Sequence, residues 1–195
     1  MRNTIVLFIL LVPFNHLFAQ SRCYSSEYME QQIKNNAILK NSIEAIESFT
    51  MRTIAADFSN YRNDGTSAII RIPVVFHVLY HTQEENISDE RIIFQLNALN
   101  RDFRRKNSDS VKTPLAFLPY AADMEIEFYL AKRDPLGRST SGIVRKYTAA
   151  KYWIADDKMK FKENTGADAW DTKSYLNIWL CNLLDVMGYS ALPGS

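Results

Sequence analysis

The chain has 195 residues, of which 47% are hydrophobic and 23% are charged, a balance that can build one globular domain with its own core. Its formal net charge of +1 provides no strong field for binding nucleic acid or an acidic membrane. The sequence contains no Gly-rich phosphate-binding loop of either usual spacing, which argues against a nucleotide-binding function.

Residues 1–19 have the pattern of a signal peptide. Arg2 provides a positive start, residues 5–14 form an almost unbroken apolar run, and the small residue Ala19 precedes polar sequence. The alternative is an N-terminal membrane anchor, but the run is far below the ~20 apolar residues that a spanning helix needs. We therefore expect an exported protein, secreted or periplasmic, with no membrane span in its mature form.

Residues 20–68 are predicted to form a helical segment followed by a linker. Leu39, Ile43, Ile46 and Phe49 recur at helical spacing, so one helix face should bury against a partner. Residues 56–67 are rich in Asp, Ser, Asn and Gly, a composition typical of an exposed connection.

Residues 69–195 are predicted to form a second unit that begins with a buried strand. The segment 69–80 is rich in Ile and Val, as expected for a strand covered on both faces. Ser88 then precedes a helix with Asp89 and Glu90 in its first turn, where the helix dipole favours anions. The apolar stripe of this helix consists of Ile92, Leu96, Leu99 and Phe103.

Three further strands are predicted, at residues 124–130, 142–147 and 175–180. The first and last alternate apolar and polar residues, which indicates half-buried strands. Residues 159–170 show no regular period and are predicted to be irregular. The order of strands and helices predicts an α/β or α+β layer with a mixed, twisted sheet.

The histidines and cysteines alone do not form a catalytic constellation. His77 and His81 are four residues apart, the spacing of a helical zinc pair, but on a strand they would lie ~13 Å apart. Val78 also stands where that motif needs a Glu. We therefore interpret His77 as a structural, hydrogen-bonded strand residue. Cys23 and Cys181 are the only cysteines, and a disulfide between them is one interpretation for an exported protein.

Three parts of the chain resemble the pappalysin-like metallopeptidases, a metzincin family. They are residues 72–80 with 96–103, residues 124–130 with 142–145, and residues 168–171, 175–183 and 188–194. The resemblance implies a zincin-like upper subdomain preceded by a helical pro-segment, with 20–68 as pro-segment and linker. Because exposed loops are preferred sites of proteolytic nicking, we expect the linker to be cut near Arg62. The family continues with a His-Glu-x-x-His-x-x-Gly-x-x-His helix that binds zinc, and this motif is absent from the 195 residues.

The resemblance therefore implies the N-terminal part of a secreted zinc endopeptidase precursor that acts on protein or peptide substrates. A truncated, non-enzymatic product and an exported binding module on the same sheet remain alternatives. Without the zinc-binding helix, the apolar residues Val75, Val78, Ile126 and Phe128 are expected to lose cover.

The resemblance also assigns candidate site residues. Cys23 stands where the family's blocking cysteine would fill the open zinc position of the latent form, an alternative to the disulfide. Residues 175–182 and the following loop are candidates for the edge that pairs with substrate, with Cys181, Asn182 and Tyr189 as contact residues. Leu176, Ile178 and Leu180 are interpreted as sheet core.

Overall fold

The computed structural model describes residues 23–56 and 68–191. The predicted signal peptide, residues 1–19, lies outside the described residues, as does nearly all of the predicted linker. Within the described ranges, none of the helices combines the length and the apolar character needed to cross a bilayer.

The N-terminal segment forms two helices, α1 (Ser25–Asn35) and α2 (Ala37–Ala55). Asn36 separates them with an extended backbone, and its Oδ1 accepts hydrogen bonds of 3.1 Å from the amides of Ile38 and Leu39. Such an N-cap stabilises a helix start by about 1 kcal/mol. Of the predicted stripe only Leu39 is buried, whereas Phe49 is 63% exposed, so the expected apolar face of α2 is covered only near its start.

The sheet is organised around one long strand, β1 (Ile70–Tyr80). The strands β2 (Ile126–Leu130), β3 (Ile143–Tyr147) and β4 (Leu176–Leu180) each pair with it in parallel. The backbone groups of even-numbered β1 residues form the hydrogen bonds on the side of β2 and β3. For example, the amide of Ile70 donates to the carbonyl just before β2, and the amide of Phe76 donates to the carbonyl just before β3. Because alternate residues of a parallel strand bond to opposite sides, β2 and β3 follow one another along one side of β1 and β4 lies along the other.

The predicted α/β class is thus confirmed, and the four described strands all run parallel. The helix α3 (Asp89–Phe103) covers one face of the sheet, where its predicted stripe meets a cluster that includes Val74, Phe76, Val78 and Phe128. Ser88 occupies the N-cap position of α3, but its side chain makes no capping hydrogen bond.

The opposite face of β1 is covered by the segment 150–170. This segment is irregular, as predicted, apart from two short 3-10 turns, and it buries Trp153, Met159 and Ala167 against Leu79. Both faces of β1 are therefore buried, which explains its continuous apolar composition.

The expected loss of apolar cover is wrong for three of the four residues, Val75, Val78 and Phe128. Val75 and Val78 are fully buried, and Phe128 is 7% exposed. The exposed apolar side chains of the sheet lie instead at the first residues of strands, where Ile70 of β1 is 60% and Leu176 of β4 is 39% exposed. The reason is that α3 and the segment 150–170 cover the middle of β1 on its two faces.

Candidate functional site

The first described residues dock on the segment that follows β4. The amide of Tyr24 donates to the carbonyl of Gly188 at 3.1 Å. The Ser25 hydroxyl oxygen accepts from the amide of Ser190 at 2.9 Å and lies 3.0 Å from the Ser190 hydroxyl. These contacts fix Cys23 beside residues 188–190.

One turn further along α1, Tyr28 enters a polar and aromatic cluster centred on Asp157. The Tyr28 hydroxyl donates to Oδ2 of Asp157 at 2.6 Å, and the Tyr189 hydroxyl donates to Oδ1 at 3.1 Å. Lys160 Nζ lies 2.6 Å from the same Oδ1. It also lies 5.4, 5.8 and 5.2 Å from the ring centroids of Tyr28, Trp179 and Tyr189. We refer to these five residues as the Asp157 cluster.

The electrostatics of the Asp157 cluster keep its carboxyl group and its two phenols each in one protonation state. Burial opposes the ionisation of Asp157, but hydrogen bonds from Lys160, Tyr28 and Tyr189 outweigh it and hold the carboxyl pKa below its ordinary value. Burial and the neighbouring carboxylate raise the pKa of both phenols. The phenols therefore remain donors and the carboxylate remains an acceptor across the neutral pH range.

None of the residues of this cluster other than Tyr189 is predicted from the sequence. Tyr28 and Asp157 are separated by 129 residues, and no periodic pattern connects them. The only available signal is the Tyr28-Met29 pair in an otherwise polar stretch, and both side chains are buried, at 6% and 5% exposure.

The thiol of Cys23 is exposed, and its Sγ lies 3.4 Å from the Ser25 hydroxyl oxygen. The side-chain and backbone hydrogen bonds with Ser25 lower the pKa of this thiol, which favours the thiolate, the form that binds zinc. No disulfide joins Cys23 to Cys181 in the structure, so the disulfide interpretation is not realised there.

Cys181 and Asn182 make internal contacts at the end of β4. The Cys181 thiol lies 3.4 Å from the sulfur of Met159, and burial, with the nearby charge of Glu85, raises its pKa to about 12. It is therefore protonated at neutral pH and is not an activated nucleophile. Asn182 Nδ2 donates to Oε1 of Glu85 and to the carbonyl of Lys151, each at 3.1 Å. Cys181 and Asn182, two of the predicted contact residues, therefore hold the end of β4 and the loop that follows it against the rest of the domain.

The outer edge of β4 is open in the described part of the chain. Even-numbered residues of β4 bond to β1, so the backbone groups of Asn177 and Trp179 point away from it, and β1 is the only described strand that pairs with β4. A groove of about 1770 Å³ lies between this strand and the two N-terminal helices, lined among others by Leu39, Ile178 and Tyr189. An open edge beside a groove can receive an extended peptide by backbone pairing.

His77 occupies a buried position where β1 faces β4. It is 1% exposed, stacks on Trp179, and its Nε2 lies 2.9 Å from Oδ1 of Asn177. Since an amide oxygen only accepts, Nε2 carries the proton. The same Oδ1 accepts from the amide of Trp170 at 2.7 Å, and Asn177 Nδ2 donates back to the Trp170 carbonyl at 2.9 Å. The interpretation of His77 as a structural residue agrees with these contacts.

The two neighbouring histidines do not converge on a common point. His81 Nδ1 lies 3.1 Å from the carbonyl oxygen of Thr148, whereas His77 contacts Asn177. In residues 23–56 and 68–191, no group of three or more His, Cys, Asp or Glu side chains could hold a metal ion. The described residues therefore do not fit a catalytic zinc.

We predict that burial of His77 makes stability dependent on pH. Burial lowers the pKa of His77, and this outweighs the opposing effect of the hydrogen bond that His77 donates to Asn177. The unfolded chain then binds a proton more readily than the folded chain, so stability falls as pH drops below the unfolded value near 6.5, by at most about 1.4 kcal/mol per pH unit. Urea unfolding between pH 5 and 7.5 should show this slope. His77→Gln should remove it, and equal slopes in the two proteins would contradict the prediction.

No family model matches the chain, and no curated protein matches it. Among solved structures, mirolysin in complex with compound 9 is 48% identical, over 65% of this chain and 48% of that one, with a TM-score of 0.63. Tannerella forsythia mature mirolysin in complex with a cleaved peptide is 48% identical over 58% of this chain and 43% of that one, with a TM-score of 0.57.

A mutant of Tannerella forsythia promirolysin is also similar. It is 38% identical, over 89% of this chain and 54% of that one, with a TM-score of 0.68. The chain therefore spans about half the length of each of these structures.

Proposed function

Because the chain has the fold of a metzincin-type metallopeptidase domain, we propose that it is the N-terminal portion of a secreted, pappalysin-like zinc endopeptidase precursor. The observation that carries this proposal is the 38% identity to promirolysin across 89% of the chain. The predicted signal peptide at residues 1–19 supports export.

We further propose that residues 20–68 are the pro-segment and its linker. The matches to mirolysin cover 65% and 58% of the chain, whereas the match to promirolysin covers 89%. The additional share is 24% to 31% of the 195 residues, or about 47 to 60 residues, which is close to the length of residues 20–68. The separation of α1 and α2 from the sheet domain by residues 57–67 supports the same division.

The proposed substrate is an extended protein or peptide segment that adds to the open edge of β4. One of the similar structures carries a cleaved peptide, which supports this substrate class. Cys181, Asn182 and Tyr189 remain the proposed contact residues beside that edge. The Tyr189 side chain lies against Tyr28, with ring centroids 4.9 Å apart, so it becomes accessible to a substrate only when α1 leaves.

The proposed chemistry belongs to residues outside this chain. A zinc site that activates water for peptide hydrolysis needs three protein ligands and a general base, and the described residues provide no such set. Within the precursor, Cys23 is the proposed zinc ligand of the latent form. Its exposure, its lowered thiol pKa and its fixed position beside residues 188–190 support this role.

The proposal is tested by comparing two proteins made in parallel. One is the product of the whole coding sequence to which these residues belong, and the other is the 195-residue chain. We expect chelator-sensitive cleavage of casein by the processed full-length product and none by the 195-residue chain. A coding sequence that stops after Ser195 would instead support the non-enzymatic alternative, and cleavage by the short chain would contradict the assignment of the chemistry.

A further inference from the structure

The Asp157 cluster supports an inference about the N-terminal helices, which rests on the proposed role of residues 20–68 as a pro-segment. We infer that the part of this cluster outside α1 is a binding site for a tyrosine presented by a helix. We further infer that this site keeps α1 and α2 bound after the chain is cut between residues 57 and 67.

The contacts that hold the N-terminal helices on the domain are concentrated at one end. Tyr24, Ser25 and Tyr28, at the start of α1, form hydrogen bonds with residues 68–191. In the described structure, α2 makes no hydrogen bond or ion pair to that domain. The docking contacts therefore lie about 30 residues ahead of the linker, and a cut in the linker removes none of them.

The site is chemically matched to a tyrosine rather than to an apolar side chain. A phenol donating to a carboxylate makes a charge-assisted hydrogen bond, and the 2.6 Å separation of the Tyr28 hydroxyl from Asp157 Oδ2 is typical of that class. The Tyr28 ring packs against Tyr189, and Lys160 faces both rings while it pairs with Asp157. A phenylalanine would keep the ring contacts but lose the donor to Asp157.

The physical basis for retention is that cleavage changes the concentration of α1 near its site and leaves the contacts unchanged. While the linker is intact, α1 is covalently joined to the domain that carries its site, and the effective concentration of such a linked partner is typically in the millimolar range. After a cut, the dissociation constant alone decides whether the helices leave. The buried Tyr28 and Met29 pair, with the hydrogen bonds around it, forms the kind of compact anchor that dominates binding energy. Cleavage and release are then separate steps.

The experiment uses the whole chain with a recognition sequence for a site-specific protease placed within residues 57–67. After complete cutting, the protein is applied to a size-exclusion column over a range of micromolar concentrations. We expect the two fragments of the native sequence to elute together. Tyr28→Phe should weaken the association roughly tenfold or more, because it removes a hydrogen bond to a charged group. Tyr28→Ala should abolish co-elution at these concentrations.

Tyr24→Phe is the matched control. Its hydroxyl accepts a hydrogen bond of 2.7 Å from Gln31 within the same helix, so removing it should leave co-elution unchanged. If Tyr28→Ala fails to fold, Tyr28→Phe, which keeps the ring, decides the question. The inference is overturned if the native fragments separate, or if Tyr28→Phe is retained as well as the native sequence. Because the readout needs neither zinc nor activity, an inactive full-length protein would contradict the proposed function without affecting this result.

Discussion

Replacing Gly166 by alanine is expected to lower the free energy of unfolding by at least about 3 kcal/mol. A Cβ at this position would clash with the carbonyl oxygen of Met159 and would lie 2.5 Å from its carbonyl carbon. These are backbone atoms of a residue that is 3% exposed, and the same carbonyl accepts the amide of Ala167 at 3.0 Å. The neighbour therefore cannot yield without opening the cover over one face of β1. Thermal and urea unfolding of the two proteins measure the effect.

Gly188→Ala provides the matched control, because a Cβ there meets no atom within 4 Å. This substitution should change stability by no more than about 0.5 kcal/mol. A Gly166→Ala protein as stable as the Gly188→Ala protein would show that the segment 159–167 is not packed as described.

Replacing Cys23 by alanine is expected to make the full-length precursor active before its linker is cut. A thiolate that occupies the open zinc position excludes the water needed for hydrolysis, and alanine cannot replace it. The change expected is from background activity to a level close to that of the processed enzyme. Casein cleavage is measured alongside the intact mass of the precursor, which shows whether the linker is still joined.

Cys23→Ser serves as the control for this prediction, since it keeps the hydrogen-bonding neighbourhood of Ser25 while it replaces the soft sulfur ligand. It should also be active early, because a hydroxyl is a poor zinc ligand compared with a thiolate. Latency that persists in both variants until the linker is cut would mean that α1 and α2 block the groove by bulk. A Cys23–Cys181 disulfide found by mass spectrometry would contradict the zinc role directly.

The elements that the sequence predicts well are those with a strong local pattern. The continuous apolar run of β1 and the stripe of α3 each follow from contacts that one segment makes along its whole length. The break at Asn36 is not predicted, because helix-forming residues lie on both sides and only the cap geometry separates them. The resemblance to a family adds what pattern alone does not indicate, namely the proposed role of Cys23 as zinc ligand of the latent form.

The Asp157 cluster cannot be predicted from the sequence, and the reason is different. Asp157 has a left-handed backbone, with φ of 67°, in a segment without a regular period, so nothing local indicates which way its carboxylate points. Its distant partners Tyr28 and Tyr189 come from α1 and from the loop after β4, and they meet Asp157 only once the sheet has formed. The same holds for the role of Asn177, whose amide joins β4 to His77 and Trp170.

The position of β1 has a consequence for local opening of the fold. Among the described strands, β1 alone pairs with all the others, and β2, β3 and β4 do not pair with one another. Unfolding of β1 would therefore break every strand pair at once. In contrast, β4 can detach while β2 and β3 keep their hydrogen bonds to β1. Cooperative units of this kind open at different free energies. The strand that borders the groove thus belongs to a unit that can fluctuate on its own, with the loop that carries Tyr189 moving along with it.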